Sequence, residues 1–346
     1  MALPFSNYFA AYNYILVLLS YAPKTGMDAS LIKLTALPFE AFAGWTAYRI
    51  AALCGCKQES DGPWRSPWHA LLAIMLLPSV ILNASACGQC DIIYTSFLLA
   101  CTYDFMRRNG WRACFWLGMA LSFKLQAIFL GPFVLLMLLR RRISLVQLGV
   151  APLVVAALAV PPILVGRPIH QVIVLYQEQT TLYTALGMNV ANWWSFVPKQ
   201  FHAAGLWVAL AAAAAAALAY VAIGRRRTAL DEGWILFAAA LSLTIMPFML
   251  PRMHDRYFFP AEVFWAVLAC ARVSSFVPAL LMQMAALLVY CNFLIRPWRP
   301  VRGAAVAVAA VMTTFVLVWA WKVYRDSSLS GGKAHPAGPR PGAVLA

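Results

Sequence analysis

Charged residues are scarce in this chain, and acidic ones are the scarcest. Only 11% of the 346 residues are charged and 63% are hydrophobic, whereas a soluble domain has about 25% charged and about 45–50% apolar residues. This composition excludes an ordinary soluble domain and predicts a polytopic membrane protein. The 12 acidic residues stand against 27 basic ones, and in membrane proteins such an excess usually lies in cytoplasmic loops. Because no basic segment alternates with aromatic residues, nucleic acid is not expected as a partner.

The chain also lacks the residue patterns of a metal site or a secretory leader. Most of the eight cysteines lie in apolar runs, where they behave as small hydrophobic residues. Cys87 and Cys90 form one CxxC, but no second CxxC or histidine pair completes a zinc set, so a half-site or a disulfide is the minor alternative. The first residues lack the basic region of a signal peptide. We therefore expect no metal and no cofactor.

Long apolar runs predict an all-α transmembrane bundle of about ten membrane segments, since a spanning helix needs about 20 apolar residues. The segment 8–22 is apolar but short. The Gly-, Pro- and Ser-rich stretch 327–346 predicts a disordered tail after a single membrane domain, 1–326. The runs that fit a span are 144–165, 203–223, 233–250 and 302–323, followed less strictly by 30–53, 68–84, 91–107, 257–273 and 277–295.

The run 112–139 is ambiguous, because Lys124 and Gln126 interrupt its middle and basic clusters flank both of its ends. One long span would place those clusters on opposite faces of the membrane. Two short helices, 112–123 and 125–139, would place both clusters on one face. The tendency of positive charge to stay on the cytoplasmic side favours the two helices, with Lys124 at the turn on the far side.

With that choice, the polar segments separate into two sets. The basic loops fall on the cytoplasmic side, while most other polar clusters fall on the opposite side, although the basic loop 296–302 also lands there. Ionisable groups at membrane depth usually line a cavity or a site, so we expect one wide polar cavity on the far side. The cytoplasmic loops are 56–65, 106–112, 140–142 and 224–232, and the opposite segments are 83–91, 124–126, 166–202 and 251–257.

The residue types on the far side suit a phosphorylated sugar. Lys124, Arg252 and Arg256 offer donors to a phosphate. The carboxylates of Asp91 and Asp255 are candidates for a catalytic base or for holding sugar hydroxyls, and Asp255 also fits a positioning role. The neighbouring neutral and aromatic side chains complete a candidate substrate-binding set: Asn83, Gln89, Gln126, Gln179, Asn192, His254 and Tyr257.

Structural roles would explain the same residues without any substrate. Asn83, Gln89 and Asp91 would serve as helix caps at a water interface. Lys124 would extend its amine to the membrane surface. Arg252, Asp255 and Arg256 would form a local ion-pair loop, with His254 as a hydrogen-bonding link.

Four motifs, in order, resemble the GT-C superfamily of membrane glycosyltransferases. The first contains Asn83, Ser85, Gly88, Gln89 and Asp91. The others are LSFKLQAIF (121–129), a Tyr176–Gln179 pair, and PRMHDRYF (251–258). The resemblance covers about residues 7–270 and is nearest to bacterial mannosyltransferases related to PIG-V, an enzyme of GPI-anchor synthesis.

The resemblance implies a fold, a reaction and a location. The enzyme would transfer a sugar from a polyprenyl-phosphate donor to a lipid or glycan acceptor, without metal, and mannose is the sugar that the resemblance implies. It would lie in the bacterial inner membrane and act on the extracytoplasmic face. Tyr176 would join the substrate-binding set by its place in the third motif.

The sequence departs from the family pattern at its start. The family's catalytic acid lies in the first outer loop, and that loop would precede Asn7. We therefore expect that the first span and its acidic loop lie upstream of Met1, or else that Asp91, Glu178 or Asp255 takes the role, with Asp28 a weaker candidate. An in-frame apolar span followed by an acidic loop in the upstream DNA would establish the first alternative.

Two other functions compete with glycosyl transfer. A transporter or flippase of lipid-linked sugars would need the same cavity and cations, but transporters often carry internal repeats with matching broken helices, and the break at Lys124 has no counterpart in the second half. A non-catalytic membrane relative is the other alternative, because the expected acid is missing.

Overall fold

The computed structural model describes residues 9–21, 28–55, 66–171, 174, 184–295 and 302–329. These residues are almost entirely helical, which confirms the predicted all-α class. Two-residue strands β1 (Gly187–Met188) and β2 (Met253–His254) pair in parallel. The helices are α1 (Ala10–Ser20), α2 (Asp28–Leu34), α3 (Leu37–Leu53), α4 (Pro67–Leu76), α5 (Pro78–Val80), a π-helix (Ile81–Ala86), α6 (Asp91–Met106), α7 (Gly110–Phe123), a 3₁₀-helix (Leu125–Leu130), α8 (Gly131–Leu139), α9 (Leu145–Leu148), α10 (Val150–Leu164), short 3₁₀ turns (Trp193–Phe196 and Lys199–Phe201), α11 (His202–Gly224), α12 (Glu232–Met249), α13 (Phe259–Ala271), a 3₁₀ turn (Val273–Ser275), α14 (Phe276–Leu294) and α15 (Arg302–Leu329).

Six helical stretches within the described ranges are long and apolar enough to cross a bilayer, which identifies an integral membrane protein. Three further apolar helices are shorter than a full span. Helix length therefore supports six of the about ten predicted segments. The six stretches are Pro67–Ala86, Leu145–Leu164, Lys199–Gly224, Glu232–Met249, Val273–Asn292 and Gly303–Ser328.

The segment 110–139 is a hairpin of two short helices, as the charge pattern predicted. Lys124 is extended, with φ −149° and ψ 137°, and it separates α7 from the 3₁₀-helix that leads into α8. The two outer ends come together: a Cβ atom added at Gly110 would lie 2.8 Å from Cγ2 of Ile143. The basic clusters on either side of the hairpin therefore lie at the same end of the bundle.

That end, the basic end, also receives the loop between α11 and α12. Arg140 donates to the Arg225 carbonyl oxygen at 2.9 Å, and Arg142 donates to that of Leu230 at 3.1 Å. The opposite end, the polar end, holds Asp91 and Lys124. The loops 106–112, 140–142 and 224–232 and the segments 83–91, 124–126 and 251–257 thus separate as the sequence predicted, while 56–65 and 296–301 lie outside the described residues.

Helices α6 and α8 end at the basic end in the same way. Arg108 and Arg141 have φ of 57° and 55°, a left-handed conformation that glycine usually adopts at this position. The backbone N–H of Asn109 donates to the backbone carbonyl oxygen of Asp104, and the backbone N–H of Arg142 donates to that of Met137, each at 2.9 Å. This is the Schellman pattern, and the arginines add charge that complements the negative helix end.

Helices α6, α12 and α13 form the centre of the bundle. Every residue of α6 is buried, and α12 is buried along nearly its whole length. Buried aromatic rings close the basic end, where Tyr324 stacks on both Tyr220 and Trp234 at centroid distances of 4.8 and 5.5 Å. The rigid centre places the start of α6 and the loop after α12 side by side at the polar end.

Helix α15 extends past the predicted end of the membrane domain. It continues through Leu329, with Ser328 buried and the Ser327 hydroxyl donating to the Tyr324 carbonyl oxygen at 3.1 Å. The predicted tail 327–346 thus begins with three helical residues, and the rest of that prediction is not tested. Residues 330–346 lie outside the described residues.

Asp231 caps α12 at the basic end. Its carboxylate accepts the backbone N–H of Trp234 at 2.8 Å and pairs with Arg227 at 2.8 Å and Arg272 at 2.7 Å. Burial opposes ionisation, but the cap bond and the two guanidinium groups outweigh it and hold the pKa of Asp231 below its ordinary value. The side chain is 43% exposed, so the cap bond should contribute more than the screened ion pairs.

Replacing Asp231 by Ala should lower the free energy of unfolding by about 1 kcal/mol at neutral pH, the usual effect of losing a cap. The folded-state pKa is depressed, so this contribution is complete above the ordinary aspartate pKa of about 3.9 and is lost as pH falls through the lower folded value. Denaturant unfolding in detergent across that range measures it. Asp326→Ala, which removes a surface pair with Arg325, is the matched control; an equal effect of both variants would contradict the capping role.

Candidate functional site

Asp91 is the centre of a buried polar cluster at the polar end. It opens α6, and its side chain is only 2% exposed. One carboxylate oxygen, Oδ1, accepts the Lys124 amine, and the other, Oδ2, accepts the Asn83 amide at 2.8 Å. The Nε atom of Arg256 lies 3.9 Å from Oδ2. The structure thus joins four sequence-predicted site residues, with the carboxylate enclosed between two cations and an amide.

Two geometric features bring Asn83 and Lys124 to Asp91. Asn83 lies in the π-helix, a wider turn that is often found at functional sites, and its amide also donates to the Tyr290 hydroxyl at 2.8 Å. The extended backbone at Lys124 ends α7 and directs its side chain toward the start of α6. Gln89 supports this arrangement through its backbone, whose N–H donates to the Asn83 carbonyl oxygen at 2.9 Å.

The loop 251–257 brings the remaining cations. Arg252 has φ of 62°, a strained conformation for a residue with a side chain, and its N–H donates to the Leu186 carbonyl oxygen at 2.7 Å. Asn189, just after β1, also has a positive φ of 53°. The β1–β2 pairing therefore lies between two left-handed turns, which hold the loop against the segment 184–195.

Asn192 stabilises the end of α12, the helix that leads into this loop. Its amide donates to the Pro247 carbonyl oxygen at 3.1 Å, and the side chain is fully buried. Trp194 makes a second link, from its indole N–H to the Met249 carbonyl oxygen at 2.8 Å. The bond to Pro247 engages the amide of Asn192 in holding the end of α12, and the proposal that Asn192 binds substrate stays a prediction.

His254 and Asp255 form a pair of their own. Nδ1 of His254 lies 3.3 Å from Oδ1 of Asp255, which also accepts the backbone N–H of Arg256 at 2.9 Å. Burial acts to lower the pKa of Arg256, but the carboxylates of Asp91 and Asp255 outweigh burial and raise it, so this side chain stays charged. Asp255 thus orders the loop, as one sequence interpretation predicted.

An apolar cleft of about 360 Å³ opens on one side of the loop. Its walls come from the 3₁₀-helix after Lys124, from α11 and from Leu250–Met253. Arg252, Gln126 and Tyr257 supply its polar groups. The apolar lining residues are Leu125, Ile128, Phe129, Leu206, Leu210, Leu250, Pro251 and Met253.

A second cleft, of about 550 Å³, opens on the other side of the loop and is more polar. His254, Asp255, Asn189 and Ser195 line it, together with Met188, Phe196, Gly303 and Val306. Asp255 therefore borders an open space, whereas Asp91 is enclosed. Among the described residues, the loop 251–257 thus contributes to two clefts, and the prediction of one wide polar cavity stays a prediction.

Not every predicted site residue can be placed. Tyr176 and Gln179, and the alternative acid Glu178, lie outside the described residues.

Two buried groups near the site were missed by sequence reasoning: Tyr290, which holds Asn83, and Glu262, which is buried in α13. An acid inside an apolar run was the available signal for Glu262. Among the described residues, no three His, Cys, Asp or Glu side chains are placed to hold a metal ion.

A scan against protein-family models finds no match to this chain, and a search of curated proteins finds no similar sequence. The site's geometry and the sequence motifs are therefore the basis for any functional conclusion.

Proposed function

We propose that this protein is a membrane glycosyltransferase that moves a sugar, mannose above all, from a polyprenyl-phosphate donor to a lipid or glycan acceptor. The polar end would face the extracytoplasmic side of a bacterial inner membrane, because the positively charged loops gather at the other end. The observation that carries this proposal is a buried cluster with excess positive charge beside an apolar cleft.

The charge excess favours a phosphate ligand. Lys124, Arg252 and Arg256 carry three positive charges, and Asp91 and Asp255 carry two negative charges, so these site residues together keep one positive charge. An unbalanced charge away from water is costly. A phosphodiester carries one negative charge and would balance it, and arginine suits phosphate because its donors form a planar fork.

The apolar cleft favours a lipid-linked donor over a water-soluble sugar nucleotide. Its walls are aliphatic and aromatic, and Arg252 adds a cation among them. An isoprenoid chain would lie along Leu206 and Leu210 of α11, with its phosphate near Arg252 and Lys124. Binding energy from the chain would hold the sugar–phosphate bond beside the cluster.

In the proposed reaction, an acceptor hydroxyl oxygen attacks the anomeric carbon of the sugar as the bond from that carbon to the phosphate oxygen breaks. The electron pair of this bond goes to the polyprenyl phosphate, which gains a second negative charge. Lys124 and Arg256 would stabilise that charge as it forms. Asp255, paired with His254 beside the polar cleft, is the described carboxylate best placed to accept the hydroxyl proton, while Asp91 positions the cations.

The test uses the purified protein in vesicles with radiolabelled polyprenyl-phosphate mannose and a crude lipid acceptor extract. We expect labelled product and release of polyprenyl phosphate. Label accumulating inside sealed vesicles without acceptor would instead favour a transporter.

Substitution of Leu210 tests the donor cleft directly. Leu210→Trp should fill the cleft and raise KM for the long-chain donor at least about tenfold, because the bulky ring occupies the path of the chain. Leu218→Trp is the control, since Leu218 lies on the same helix but is 66% exposed and outside the cleft. Equal KM values for the two variants would remove the cleft from the proposal.

A further inference from the structure

A separate groove lies elsewhere on the bundle and shares no lining residue with the two clefts of the candidate site. It has a volume of about 530 Å³ and runs between α11, α12 and α15. Ala216 and Ala219 of α11 form one wall, and the small size of these residues leaves the space between the helices open. The floor comes from Ile245, Phe248 and Met249 of α12.

The opposite wall is a single face of α15. Its residues recur every three or four positions, which places them on one side of the helix. Thr314, Leu317 and Val318 are followed by Trp321, and Lys322 and Arg325 complete the row at the basic end. The groove is thus apolar along its length and cationic at one end.

The dimensions of the groove match one leaflet of a bilayer. From Thr314 to Arg325 the helix rises about 16 Å at 1.5 Å per residue, close to half of the about 30 Å hydrocarbon core. Trp321 lies next to the cations, where aromatic rings usually mark the membrane interface. An acyl chain would fill the groove with its headgroup at Lys322 and Arg325.

The cations at the mouth of the groove favour an anionic headgroup. Lys322 is exposed and makes no ion pair with any other residue that the structure describes. Arg325 pairs with Asp326 at 3.0 Å, but both side chains are about half exposed, so the pair is weak. Arg227 lies close by, donating to the Ser327 carbonyl oxygen at 2.6 Å. Arg227 is already compensated by Asp231 at 2.8 Å, so Lys322 and the weakly paired Arg325 are the cations that a phosphate at this depth would meet.

We propose that this groove binds an anionic diacyl phospholipid of the leaflet at the basic end, with one acyl chain along α15 and the phosphate between Lys322 and Arg325. The occupant is distinct from the sugar donor, whose proposed cleft opens at the polar end. The two sites share no lining residue.

The test measures binding of phosphatidylglycerol and phosphatidylcholine to the detergent-purified protein by native mass spectrometry. We expect tighter binding of phosphatidylglycerol. The double substitution K322Q/R325Q should weaken that binding about thirtyfold, or roughly fivefold for each cation near the headgroup. Arg226→Gln is the matched control: it removes one charge at the same end, from an exposed residue outside the groove, and should change affinity little.

A second variant separates the groove from general surface charge. Ala219→Phe keeps both cations but fills the space beside α15, so it should weaken binding of both lipids. Phosphatidylglycerol affinity that is the same in K322Q/R325Q and in Arg226→Gln would overturn the proposal. Efficient cross-linking of two copies through Val318→Cys in native membranes would also overturn it, because a second copy would then occupy the groove.

Discussion

Lys124→Ala should lower the rate of sugar transfer by about 10²–10³-fold, with the loss in kcat larger than any change in KM for the donor. The proposed role of Lys124 is to stabilise the charge that appears on the phosphate as the glycosidic bond breaks, and a single preorganised donor typically contributes this much. Arg256→Ala should act in the same direction but less strongly, because its side chain is more exposed and lies further from Asp91. Initial rates with labelled polyprenyl-phosphate mannose measure both effects.

Two controls isolate the role of this charge. Lys199→Ala removes an exposed lysine in the short 3₁₀ turn before α11 that lines neither cleft of the site, and it should leave the rate unchanged. Lys124→Arg keeps the charge and should recover part of the activity. Unchanged turnover in both Lys124→Ala and Arg256→Ala would refute the phosphate-binding assignment.

Asp91→Asn should have the largest effect on stability, about 3–5 kcal/mol in the free energy of unfolding. That is the usual loss when one partner of a buried ion pair is removed, because the remaining charge stays buried without compensation. Here two cations, Lys124 and Arg256, would lose the same carboxylate. Denaturant unfolding in detergent measures the change, and added inorganic pyrophosphate should restore part of the loss if an anion can replace the carboxylate.

The double variant Asp91→Leu/Lys124→Met provides the internal check. It removes the carboxylate and its closest cation together, so it should be less destabilised than Asp91→Asn. Asp326→Asn, at an exposed pair, should change stability by less than about 1 kcal/mol. If Asp91→Asn were as mild as Asp326→Asn, the enclosed cluster would not carry the charge that the phosphate proposal requires.

The architecture of the chain was largely predictable, because charge and apolar length act on whole segments. The hairpin at Lys124 followed from two basic clusters that could share a face only if the chain turned back. The same reasoning brought Asp91, Lys124 and Arg256 to one end of the bundle. Their contact was not predictable, since it depends on the extended backbone at Lys124 and on the π-helix that carries Asn83.

The position of the loop 251–257 between two clefts could not be predicted either. It depends on the positive φ values of Arg252 and Asn189, which depart from ordinary residue preferences and are held by tertiary contacts. Asn192 illustrates a second limit: residue type does not show which hydrogen bonds a side chain already makes in the folded protein. An amide near a polar surface fits a sugar ligand by residue type, but only packing reveals that its donor is already bonded to Pro247.

The hairpin formed by α7 and α8 also has a consequence for membrane insertion. Each arm is shorter than the about 17 residues that a single helix needs to span, so the two arms must enter the bilayer together. Lys124 at the tip must then enter the hydrocarbon, at a cost of about 2.5–3.5 kcal/mol for a lysine at the centre of a helix. The buried carboxylate of Asp91 pairs with this amine in the folded protein. The contact therefore offsets part of the cost of insertion and holds the hairpin in place.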